Sequence, residues 1–130
     1  MAKTIVILSA LTALLVACGK TSTVVPQYDR VKTKACLGHQ TGVRIGGKLD
    51  FVASTATGGA FRAGVPGNSV TIVFGQTLDD ANNIDQAYVR FHAKNVGIAD
   101  ILRQDGNVVM LWQRHPEDAQ LTLVQGCLTS

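Results

Sequence analysis

The sequence predicts an all-β fold, a small antiparallel meander of seven to eight short strands closing into a barrel or sandwich, with room for one short helix around residues 79–95. Three observations carry that expectation. Apolar and polar residues alternate over several short runs, the period of a half-buried strand. Gly-rich and Asp-Gly turn signals separate the runs. The runs follow one another closely, which favours pairing between sequence neighbours and hence a meander.

The leading segment stands apart from this fold. Met1-Ala2-Lys3 opens it, and an almost unbroken apolar run follows from Thr4 to Ala17. The run is too short to span a bilayer comfortably, has the length of a secretory h-region and ends in small residues. Leu15-Val16-Ala17-Cys18 resembles the bacterial lipobox, at which a diacylglycerol is attached to the Cys sulfur and the chain is cut before it. The resemblance is confined to this segment. It implies lipidation of Cys18, and Gly19 in place of Asp implies export to the outer membrane with the domain facing the periplasm. Each buried methylene contributes about 0.8 kcal/mol, so two or three acyl chains hold stably where one does not. The boundaries that follow are a signal peptide over 1–17, a lipidated tether over 18–27 and a single β-domain over 28–130. At full extension such a tether reaches about 30 Å.

With Cys18 assigned to lipid, Cys36 and Cys127 remain, and an even pair in an exported chain reads as a disulfide. The loop between them is long, so in the chain-entropy picture the bridge contributes about 4–5 kcal/mol and clasps the first element to the last.

Tyr28 to Leu37 alternates weakly and reads as an edge strand, its lysines discouraging sheet-to-sheet association. Thr41 to Ser54 reads as a hairpin around Gly46-Gly47-Lys48, a register that pairs Ile45 with Leu49 and Val43 with Phe51. Ala56 to Asn68 is rich in Gly and reads as a loop, with Phe61 and Arg62 at its centre as candidate ligand contacts. Ser69 to Phe74 is a strand. Ala81, Ile84, Tyr88 and Phe91 fit helical spacing, yet Ala87, Val89, Phe91 and Ala93 alternate with polar residues, and the longer alternating run favours a strand.

Ile98 to Trp112 is the clearest hairpin, with Asp105-Gly106 as its turn, pairing Arg103 with Val108 and Leu102 with Val109. Both of its faces are apolar and both must be covered, by the domain or by a partner. Leu102, Val109 and Leu111 are therefore the candidate partner surface. A last strand is expected from Ala119 to Cys127.

The chemistry along the chain is sparse. Outside the leader the net charge is near +2 (12 − 1 basic residues against 9 acidic), too small and scattered for a nucleic-acid footprint. His39, His92 and His115 are isolated and form no metal-binding spacing. Asp79, Asp80 and Asp85 lack the closing Glu of a calcium loop, and neither Ser54 nor Ser69 sits in a nucleophile elbow. No cofactor, metal or catalytic residue is expected, and the chain reads as a non-enzyme.

The leading functional expectation is an outer-membrane-anchored protein-binding or envelope-assembly module whose partner is another envelope protein. A second reading comes from Asp105-Gly106, Trp112, Arg114, Ala119, Leu121 and Cys127, which faintly resemble the membrane-anchored lipoprotein inhibitors of C-type lysozyme. That resemblance implies a small β-barrel. The family's Ser-Gly-x-x-Tyr loop is replaced here by Val96-Gly97-Ile98-Ala99-Asp100, so no functional residue carries over. A third reading is a β-barrel that binds a small ligand beneath the Phe61-Arg62 loop.

Overall fold

The computed structural model describes residues 25–91 and 97–130. Its centre is a five-stranded antiparallel sheet in the order β1-β2-β3-β5-β4. The strands are β1 (Arg44–Ile45), β2 (Ala60–Val65), β3 (Asn68–Phe74), β4 (Leu102–Asp105) and β5 (Val108–Trp112). Five helices accompany them, α1 (Arg30–Gly38), α2 (Phe51–Ser54), α3 (Leu78–Phe91), α4 (Ile98–Ile101) and α5 (Asp118–Cys127). The expected all-β fold is thus corrected. The sheet stays open, with β1 and β4 at its edges, and no barrel closes. The barrel interior needed by the small-ligand reading, and implied by the inhibitor resemblance, is not formed.

The sheet is covered on both faces. On one face Phe61, Ala63, Val65, Val70, Ile72, Phe74, Val108, Met110 and Trp112 pack with Leu37 of α1 and with Val124 and Cys127 of α5. On the other, Val73 and Val109 pack with Ala53 of α2 and with Ala81, Ile84 and Tyr88 of α3. The result is three layers, helices on either side of an antiparallel sheet.

Each helix has a local cause. In α1 the Asp29 side chain accepts from Lys32 N at 2.8 Å, and Thr33 and Leu37, four residues apart, are buried. The expected edge strand over these residues is therefore a helix. In α5, Glu117 and Gln120 form a reciprocal capping box, and Gln120, Val124 and Cys127 turn inward at helical spacing, replacing the expected last strand. In α3, Thr77 Oγ1 accepts from Asp80 N at 3.1 Å while Asp79 and Asp80 lie in the positive first turn. The strand reading of this segment was drawn by Val89 and Phe91, which stand 44% and 66% exposed on the outer side of the helix. Ala93 and His92 lie outside the described residues.

Thr41 to Ser54 is not a hairpin. Only Arg44 and Ile45 join the sheet, against Gly64 and Ala63, and Asp50 then starts α2 by accepting from Ala53 N at 2.9 Å. The expected loop over 56–68 contains β2 and its turn. Pro66-Gly67 connects β2 to β3, with Gly67 at φ +79° as the third residue of a type II turn requires.

The β4–β5 hairpin forms, but its turn is Gly106-Asn107, because Asp105 pairs with Val108 and Leu102 with Leu111. Gly106 alone has positive φ (55°), and a Cβ there would run into the Pro26 carbonyl. The register differs from the expected one by two residues, which leaves the β4 and β5 side chains on their expected faces, while Ile98–Ile101, expected in the first strand of the hairpin, forms α4.

The two chain ends are joined by the Cys36–Cys127 disulfide, with Cα atoms 5.4 Å apart across a sequence separation of 91. Asp29 N donates to Thr129 O at 2.6 Å and Thr129 N to Thr33 Oγ1 at 3.2 Å, so the C-terminus lies along the start of α1. Replacing both cysteines (Cys36→Ala/Cys127→Ala) is expected to lower unfolding stability by about 4 kcal/mol. Urea titration followed by Trp112 fluorescence measures it, and a loss under about 1 kcal/mol would show that the bridge is not what holds the ends.

Candidate functional site

The outer helices do not cover the whole second face. α2 and α3 lie over Ala60, Val73, Val109 and Leu102, and beyond them a polar stretch of sheet is left open. The cross-strand row Arg62–Thr71–Leu111 forms its floor. With Ser69 and Gln113 behind that row, and Lys48 and Asp50 from the β1–α2 connection, it makes a groove of about 240 Å³.

Its side chains are mostly hydrogen-bond donors. Arg62 Nη2 donates to Ser69 Oγ at 3.1 Å, and Ser69 Oγ in turn donates to Gln113 Oε1 at 2.8 Å. Among the described residues the only salt bridge is the exposed pair His115–Asp100, 2.6 Å, so neither Arg62 nor Lys48 has a carboxylate partner there. Thr71 is 8% exposed, and its hydroxyl makes no hydrogen bond within the described residues.

Asp50 is the exception to this donor set, and its acceptor capacity is committed. Its carboxylate takes the Ala53 N–H at 2.9 Å and the Tyr88 hydroxyl at 2.9 and 3.1 Å. That bond fastens α3 to the start of α2.

On the other side of Asp50 lies an apolar groove of about 350 Å³, lined by Phe51, Val52, Tyr88 and Phe91. Phe51 is 73% exposed and Phe91 66%. Two large aromatics at that exposure on one groove are more than the scattered apolar surface of an ordinary domain.

The sequence-derived residues fall as follows. Cys18 lies outside the described residues. Phe61 and Arg62 belong to β2, not to a loop, and point to opposite faces. Phe61 is buried and stacked on Phe74 at 6.0 Å, while Arg62 enters the polar groove. Val109 is wholly buried, and Leu102 and Leu111 are half-buried against the same cluster beneath α2 and α3. That trio is inner packing, and Leu111 alone also lines the polar groove. His39 caps α1, and His115 pairs with Asp100. Trp112 is buried on the first face, its indole Nε1 without an acceptor among the described residues.

Lys48, Thr71, Gln113, Phe51 and Phe91 were not singled out from the sequence. Their only signal is Thr71, a polar residue within the otherwise apolar run from Val70 to Phe74. Among the described residues no three His, Cys, Asp or Glu side chains gather where a metal ion could be held, and no helix is long and apolar enough to cross a membrane. No protein-family model, curated protein or solved structure matches the chain.

Burial foremost, then the hydrogen bond to Asp50 and that group's charge, hold the Tyr88 proton well above the ordinary 10.0. Tyr28 is raised too, by burial and then by the charge and hydrogen bond of Asp105. The unfolded phenol ionises near pH 10 while the folded Tyr88 keeps its proton, so this stability is complete below about pH 10 and falls as pH rises beyond it. Urea midpoints from about pH 9 to 12 are expected to drop, and Tyr88→Phe to flatten the drop. An unchanged slope in Tyr88→Phe would show that another group carries it.

Proposed function

We propose that the chain is an exported lipoprotein, held to the outer membrane by acyl chains on Cys18, whose domain docks another envelope protein without catalysing a reaction. The observation that carries the docking is the Phe51–Phe91 groove. The anchor rests on the lipobox-like Leu15-Val16-Ala17-Cys18.

The geometry supports a division between the two ends of the domain. The chain arriving from the leader meets the sheet at Tyr28, whose N–H donates to Asn107 Oδ1 at 2.6 Å and whose carbonyl accepts from Asn107 Nδ2 at 3.1 Å. Asn107 Nδ2 also donates to Gly75 O at 2.9 Å, just before α3 begins. From there α3 runs 14 residues, about 20 Å, to Phe91. The apolar groove thus lies at the end of α3 remote from the tether, where a partner reaches it without competing with the anchor. Full burial of each phenylalanine contributes about 2 kcal/mol to such a contact.

Palmitate-analogue labelling of cells is expected to mark the wild-type chain and not Cys18→Ala; undiminished labelling of Cys18→Ala would remove the anchor. For docking, a photo-crosslinking residue at position 51 is expected to trap an envelope protein that is not trapped from position 31 on α1, and Phe91→Ser is expected to abolish the adduct. Equal trapping from both positions would refute a docking groove.

A further inference from the structure

We propose that the polar groove of Lys48, Arg62, Ser69, Thr71 and Gln113 is a binding site for the carboxylate of a small apolar acid. The proposal stands on the groove's own chemistry and needs neither the anchor nor the docking groove.

The first argument is the idle donor capacity. Arg62 is half-buried, and its one protein hydrogen bond is to Ser69. A guanidinium carries five N–H donors, so most of them face the groove unmatched. The Ser69–Gln113 relay fixes the Arg62 head, which lowers the ordering cost of gripping a ligand. Thr71 adds a hydroxyl on the groove floor that bonds no other group among the described residues and is open to the groove.

The second argument is charge. The lining groups carry two cations, Lys48 and Arg62, and one carboxylate, Asp50, whose oxygens are taken by Tyr88 and Ala53 N. The balance is one positive charge. A monoanion neutralises it, whereas a phosphate dianion would leave negative charge against Asp50. A planar carboxylate also matches the fork of a guanidinium edge. Leu111 on the wall, and Phe51 and Val52 across Asp50, offer apolar surface for the carrier of that carboxylate.

The test titrates the full chain in detergent micelles with N-acetylphenylalanine, N-acetylphenylalanine amide and phenyl phosphate, following the Arg62 Nε–H and the Thr71 and Gln113 backbone amides by NMR. The acid is expected to shift these signals saturably, the amide not at all, and phenyl phosphate to bind several-fold more weakly. Arg62→Gln is expected to weaken the acid at least about tenfold, the scale of a charge-assisted hydrogen bond. Thr71→Val is expected to weaken it about threefold while keeping the fold, because its hydroxyl has no intramolecular partner to lose. Should Arg62→Gln fail to fold, Thr71→Val decides. The proposal is overturned by no saturable shift, by an equal response to the amide, by tighter binding of phenyl phosphate, or by undiminished binding in Thr71→Val.

Discussion

Strands β3 and β5 are apolar on both sides, and the rest of the molecule answers that constraint. Val70, Ile72 and Phe74 face one way and Val73 the other, and across the pairing Val108, Met110 and Trp112 oppose Val109 and Leu111. A sheet of this kind in water exposes one apolar face or the other unless both are covered. The helices supply the cover and draw their stability from it. α2 has four residues and α4 four, lengths at which no isolated helix persists. The second layer runs out where β3 changes character at Thr71. The polar groove exists because the sheet there carries Arg62, Ser69 and Thr71 and no longer demands an apolar lid.

The first layer is tied by a different set of bonds. α1 and α5 come from opposite ends of the described domain, and nothing local in sequence brings them together. The Cys36–Cys127 bridge, the Asp29–Thr129 backbone bond and the buried Thr33 hydroxyl do so. Asn107 performs the equivalent task at the hairpin. Wholly buried in a turn, it uses its amide oxygen and nitrogen on Tyr28 and its nitrogen again on Gly75. An apolar residue there would remove the partner of three backbone groups at once.

The legibility of the sequence followed the burial of each segment. Ser69–Phe74 and Val108–Trp112 were readable because strands buried on both faces are rich in β-branched and large apolar residues; of the hairpin expected over Ile98–Trp112, only the part from Leu102 onward is strand. The helices misled because each has a narrow apolar stripe over a short length. In α3 the exposed Val89 and Phe91 completed an alternation that has no counterpart in burial. In α1 only Thr33 and Leu37 are buried, and a buried Thr is not an apolar signal. The capping residues were present throughout: Asp29 before α1, Thr77 with Asp79 and Asp80 at α3, and Glu117 with Gln120 at α5. Arg62, expected in a loop, stands in β2. Its actual setting, beside Thr71 and Ser69, depends on cross-strand register, which one sequence does not disclose. The disulfide was readable because it followed from cysteine number, not from local conformation.

Asp50 links the two grooves. It starts α2, receives the Tyr88 hydroxyl from α3, and forms a wall of the polar groove on one side and of the apolar groove on the other. Its position is set by bonds to two different helices, so neither groove can change shape at that wall without disturbing α2 or α3. A group that drew Asp50 toward Lys48 would have to break its bonds to the Tyr88 hydroxyl and to Ala53 N. The cost of that step keeps the carboxylate where it is. Lys48 and Arg62 accordingly stand without a carboxylate partner among the described residues.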